Sequence, residues 1–249
     1  MKKLFLCVLL AVFLFSNAIC VFSQSQGNQS TYVTGDEVIT ITTLEPDDMV
    51  TQTASDRAMA AYVTGSRLMN QNRLLDAERY LLEAIELYPE FVDALDHLGI
   101  VYRRLNRFAE AEQMYLRSIS INNSNRVPFI NLAVVYRIQG RADEAFDLYK
   151  RVIEINPNDP EGYYGTGELH FSAKNFDLSL QFFDKAMELY AAIRSPYISH
   201  VHYYKGMIYY ELKNYEEALK HLEEAQRLRL NIEGLNRTIN EIRRILANR

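Results

Sequence analysis

Three regimes of hydrophobic patterning follow one another along the chain. Leu4 to Phe15 is an unbroken apolar run behind Lys2 and Lys3, closed by Ser16-Asn17. No polar residue recurs in it at helical spacing, as a helix half-buried in a soluble core would require. The run predicts a secretory signal peptide over residues 1–23. Val21-Phe22-Ser23 before Gln24 suits cleavage, and Ala18-Ile19-Cys20 before Val21 is a second position. Two other readings stand. Leu4 to Phe22 nearly spans a bilayer core of about 30 Å and would serve as an uncleaved anchor. A lipid on Cys20 is the other, although Ile19 stands where Gly or Ala is usual. The expectation is an exported protein, periplasmic or secreted, that meets a membrane only if this segment stays uncleaved or Cys20 carries a lipid.

From Gln24 to Ser55 the pattern turns polar, and the one apolar cluster is Val38-Ile39-Thr40-Ile41. Its alternation suits a short strand, but a lone strand has nothing to pair with. Residues 24–55 are therefore expected to form a flexible polar linker.

Beyond Ser55 small, aromatic and apolar residues recur with a period. Gly65, Gly99, Ala133 and Gly167 are spaced by 34 residues, and Gly206 follows after that period plus five. Taking this small residue as position 8, repeats begin at Ala58, Val92, Arg126, Pro160 and Ser199. Position 20 reads Ala77, Ala111, Ala145, Ser179 and Ala218, and position 24 reads Leu81, Tyr115, Tyr149, Phe183 and Leu222. Small residues at 8 and 20 let two helices approach closely, while the bulky residue at 24 fills the space beside them. Asn72, Asn106 and Gly140, all at position 15, suit a turn with positive φ. Pro89 and Pro157, at position 32, stop the second helix.

The register resembles the tetratricopeptide repeat, a helix-turn-helix unit of 34 residues. The resemblance covers roughly residues 56–231 and departs from the family at position 4, where Ala61, Leu95, Phe129, Tyr163 and His202 replace the usual Trp, and at Lys205, in a normally apolar place. It implies an all-α fold: a right-handed solenoid of five repeats (58–91, 92–125, 126–159, 160–193 and 199–232, with an insertion near 194–198). Ile232, Leu235, Ile239, Ile242 and Leu246 then mark an amphipathic helix over 232–249 that caps the exposed apolar end.

In this family the inner wall of the superhelix is lined by the first helix of each repeat, and there a partner protein or peptide is expected to bind. The residues at those places include Arg103, Arg104, Ile130, Val134, Arg137, Tyr164, Phe171, Tyr203, Met207 and Tyr210. Tyr and Arg are favoured at interface hot spots, so the arginines are expected to meet a carboxylate and the tyrosines apolar side chains. The family's two-carboxylate clamp for chaperone tails would need Lys, Asn and Arg where this chain has Tyr62, Ser66, His97, Val127 and Asn131. That ligand is not expected.

Composition narrows the functions further. The chain is 48% hydrophobic and 24% charged, with net charge −5, so neither global disorder nor a nucleic-acid partner is indicated. If cleavage follows Ser23, Cys7 and Cys20, the only cysteines, leave with the signal peptide and the mature chain has no thiol or disulfide chemistry. Gly162-Tyr-Tyr-Gly165-Thr-Gly167 resembles a nucleotide loop only superficially, since its spacing is reversed and no strand precedes it. His200 and His202 are two apart, on different faces of a helix. His170 is expected as a buried, satisfied core histidine. No enzyme, cofactor or metal is predicted. The function expected is a non-enzymatic scaffold of the cell envelope; the alternatives are a glycan- or peptidoglycan-binding accessory module and a structural homo-oligomer.

Overall fold

The structure, a computed structural model, describes residues 21–22, 29–34, 37–42 and 46–248. The signal-peptide stretch 1–20 lies outside the described residues. The chain divides into two compact units, 1–56 and 57–249.

In the first unit the described strands are β1 (Val21–Phe22), β2 (Gln29–Thr34) and β3 (Glu37–Thr42), antiparallel in that order. Tyr32 faces Ile39 and Val33 faces Val38 in the register. This differs from the tether expected over 24–55. The apolar alternation of Val38–Ile41 does find a partner: Thr31-Tyr32-Val33, β-branched and aromatic, inside a stretch whose overall polarity conceals it.

Residues 57–249 form an all-α repeat fold. Its helices are α1 (Pro46–Asn70, entering from the first unit), α2 (Leu74–Leu87), α3 (Val92–Arg104), α4 (Phe108–Ile121), α5 (Arg126–Ile138) and α6 (Ala142–Ile155). Then come α7 (Pro160–Ser172), α8 (Phe176–Ala192), α9 (Ile198–Glu211), α10 (Tyr215–Arg227) and α11 (Leu235–Ala247). Each repeat is a hairpin of one odd-numbered and one even-numbered helix. Odd helices also pack against odd neighbours, α3 on α5, α5 on α7 and α7 on α9, so they make one continuous wall.

The hairpins close where the small residues allow. A Cβ on Gly99 would sit 2.5 Å from the Tyr115 ring, inside any real contact. The same meeting of positions 8 and 24 recurs at Gly65 with Leu81, Gly167 with Phe183 and Gly206 with Leu222. Inter-helix turns are equally uniform. Asn72, Asn106, Gly140, Lys174 and Lys213, all at position 15, have φ between 58° and 75°. In each, the following N–H donates back across the turn, as Arg107 N to Tyr102 O at 2.9 Å does, which satisfies helix-end carbonyls.

The five additional residues before Ser199 are taken up partly by α8, 17 residues long against 14 for α2, α4 and α6. Arg194, at φ 52°, then turns the chain. At the far end α11 buries Leu235, Ile239 and Ile242 on Ala218 and Leu222, a cap over the last hairpin. Lys205, the polar residue at an apolar repeat position, is 7% exposed and bonded to Asp184.

Candidate functional site

The wall of odd helices carries three chemically distinct stretches. The first lies on α1 and α3. Ser66 and His97 Nδ1 are 2.8 Å apart, and Tyr62 stacks on the His97 ring at 5.1 Å. Asp96, 3% exposed, has one oxygen near Asn125 Nδ2 at 3.3 Å and the other without a partner. Burial, with Asp93 adding repulsion, pushes its carboxyl up to about 6.

The middle stretch, on α3 and α5, is apolar around two guanidinium groups. Ile130 and Val134 are half-buried, and Ile138 and Val127 are exposed. Arg137 Nη2 stands 3.5 Å from Glu168 on α7, which itself accepts from Tyr204 Oη at 2.7 Å. Arg103 is half-buried with its Nε fully enclosed and unbonded. Arg104 is exposed but occupied: it donates to Met69 O and Asn72 Oδ1, tying repeat two to repeat one.

The third stretch, on α7 and α9, is aromatic. Tyr164 contacts the rings of Phe183, Tyr190 and Tyr204. Phe171 meets Tyr204 edge-on at 5.3 Å, as Tyr203 does at 5.5 Å. Tyr190 Oη donates to Glu161 at 2.8 Å, and burial raises that carboxyl. Met207 and Tyr210 are half-buried against the last hairpin, Tyr210 donating to Glu241 of α11. The ten wall residues expected from the register thus all fall on odd helices, although Tyr164 and Arg104 are engaged within the fold.

Other pairings were invisible to a reading made helix by helix. His202 and His221 bring their Nδ1 atoms to 3.0 Å across α9 and α10, and Tyr209 stacks on His221 at 5.6 Å. Their positions, 4 and 23 of one repeat, are the signal that would have joined them. His170 is half-buried rather than core, stacked on Phe182 and edge-on to Phe146, because an aromatic junction replaces closer packing there. The glycines of 162–167 pack against α6 and α8: a Cβ on Gly165 would sit 2.2 Å from Tyr149 Cζ. Among the described residues no group of three or more His, Cys, Asp or Glu stands close enough to hold a metal. No described helix is long and apolar enough to cross a membrane.

A stack of helical hairpins presenting one continuous wall defines a repeat solenoid, a class whose members bind other proteins along such surfaces. Family models of the tetratricopeptide repeat match residues 62–125, 133–173 and 161–231. The chain belongs to the tetratricopeptide-repeat family. Its fold resembles that of a chain in the APC/C heterotetramer Cut9–Hcn1, with 17% identity and TM-score 0.68 over 78% of this chain, and it spans 39% of that one. It also resembles PilF of Pseudomonas aeruginosa, with 15% identity and TM-score 0.67 over 78% of this chain and 86% of that. A third is YrrB, described as a tetratricopeptide-repeat protein with an unusual peptide-binding site, with 22% identity and TM-score 0.52 over 77% and 95%. No curated protein sequence matches.

Proposed function

We propose that this chain is an exported, non-enzymatic scaffold whose odd-helix wall holds an extended or helical segment of a partner protein in the cell envelope. The supporting observation is exposed apolar surface where a solvated wall would be polar: Met59 and Ile138 are each 50% exposed, and Val127 is 36% exposed, all on that wall. Such surface gains free energy when a partner covers it. The apolar run behind Lys2 and Lys3 supports export.

Ile138 suits the test because it is half in solvent, so a charge there leaves the hairpins intact. Wild-type chain and Ile138→Glu are used to co-purify partners from native envelope, and the captured proteins are compared. A partner held by the wild type and lost by the variant, with unchanged melting, supports the wall as the binding surface. Capture identical in both overturns it. N-terminal sequencing of the exported protein tests the cleavage after Ser23.

A further inference from the structure

The register that sets Glu168 beside Arg137 also identifies what stands beside Arg103. Position 12 of one repeat faces position 9 of the next, as the 3.5 Å approach of Arg137 and Glu168 shows. The equivalent residue facing Arg103 is Val134. The other two such places are apolar on both sides, Met69 before Ile100 and Phe171 before Met207. Arg103 therefore brings a guanidinium to a place where the fold supplies a valine.

Nearby arginines are all provided for. Arg104 has Met69 O and Asn72 Oδ1, Arg107 has Glu78 and Glu110, Arg126 has Asp159, and Arg141 has Glu112 and Glu144. Among the described residues no carboxylate stands within ion-pair distance of Arg103. The Tyr115 hydroxyl lies near it without a close hydrogen bond, and the Arg103 Nε is enclosed and unbonded. A half-buried guanidinium with no anion is costly, and a carboxylate reaching it forms a charge-assisted, bidentate pair.

We propose that Arg103 receives the side-chain carboxylate of an Asp or Glu lying within an otherwise apolar segment of the partner protein. This rests on the wall being the binding surface, and it adds the chemistry of what binds. The register sets Ile100, Ile130, Val134 and Ile138 on the same part of the wall. The wall continues past Arg103 in both directions, to Tyr62 on one side and Tyr203 on the other, so the acid falls inside the segment and not at its end. The net charge of −5 repels acidic chains in general, so the attraction is local to this guanidinium.

The test uses the full chain, with phage-displayed random twelve-residue segments as the probe. Segments retained by the wild type and lost on Ile138→Glu are synthesised with blocked ends, in acidic and amide (Glu→Gln or Asp→Asn) forms, and titrated by fluorescence anisotropy. The expected result is one acid between apolar residues, and about tenfold weaker binding for the amide form on the wild type. Arg103→Gln is expected to bind both forms alike, and Arg103→Lys to keep part of the preference. The amide change reads the same contact without altering the protein, so a fold defect in a variant does not decide the outcome. Wall-dependent segments without an acid preference, or with one that survives Arg103→Gln, overturn the role of Arg103 and leave the wall standing. If no segment depends on Ile138, both proposals fall.

Discussion

Lys174 and Lys213 hold the left-handed turn conformation that Asn72, Asn106 and Gly140 hold elsewhere, at φ 58° and 59°. A side chain with a Cβ costs about 1 kcal/mol there. Lys174→Gly and Lys213→Gly should each stabilise the fold by up to roughly 0.5 kcal/mol, once the unfolded-state entropy of glycine is set against the relief of strain. Urea midpoints check this, and unchanged or lowered values would mean that the lysines make compensating contacts. Two titratable groups act in opposite directions on acidification. Burial, then Lys205 and His202, depresses the His221 ring to about 4. The unfolded ring protonates near 6.5, so stability from this group is whole above that pH and falls as pH drops towards 4. Asp96 has its folded value raised to about 6 from 3.8, so the native state takes up this proton first and gains stability as pH drops through 6. Asp96→Asn removes that gain. Between pH 7 and pH 5 the Asp96→Asn protein should therefore lose more of its stability than the wild type, and His221→Gln less, as read by urea midpoints at the two values.

At the scale of helices, the junctions between repeats are of two kinds. Between repeats one and two, Arg107 bonds Glu78 and lies over the Tyr102 ring at 4.3 Å. Between two and three, Arg141 bonds Glu112 and covers Tyr136 at 3.7 Å. At the next junction the same three places hold Phe146, His170 and Asn175, and Phe146 and His170 meet edge-on instead. The cap is a different device. Ending the chain after Arg229 removes α11 and with it the burial of Leu235, Ile239 and Ile242, each contributing about 1.5–3 kcal/mol. The shortened protein should self-associate or lose the structure of α9 and α10, visible in light scattering and circular dichroism. A monomer with full helix content would show that α11 is dispensable.

For the whole molecule, what could be read from the sequence was whatever repeats. Gly99 against Tyr115 and the turn at Asn106 follow from spacing alone, since the same residue type serves the same contact in each unit. The places of Arg103, Val134 and Tyr203 on the wall follow for the same reason. Features that occur once were out of reach. The hairpin of β2 and β3 lies outside the repeat, and the pairing of His202 with His221 joins two positions occupied by histidine only in repeat five. The contact of Tyr164 with Tyr190 depends on the longer α8, which carries Tyr190 past the usual helix end. The two kinds of junction have a further consequence, for how such an array changes length. A duplicate of repeat two inserted after itself would bring the copy's Arg107 to the original Glu112 and offer its own Glu112 to Arg141, so each finds its complement ready. A duplicate of repeat four offers no such fit: by the same register the second copy's His170 and Asn175 would stand at Leu180 of the first, reproducing neither the Arg–Glu pair nor the meeting of Phe146 with His170. Growth by tandem copying has a ready-made joint at the amino-terminal end of the stack and none at the other.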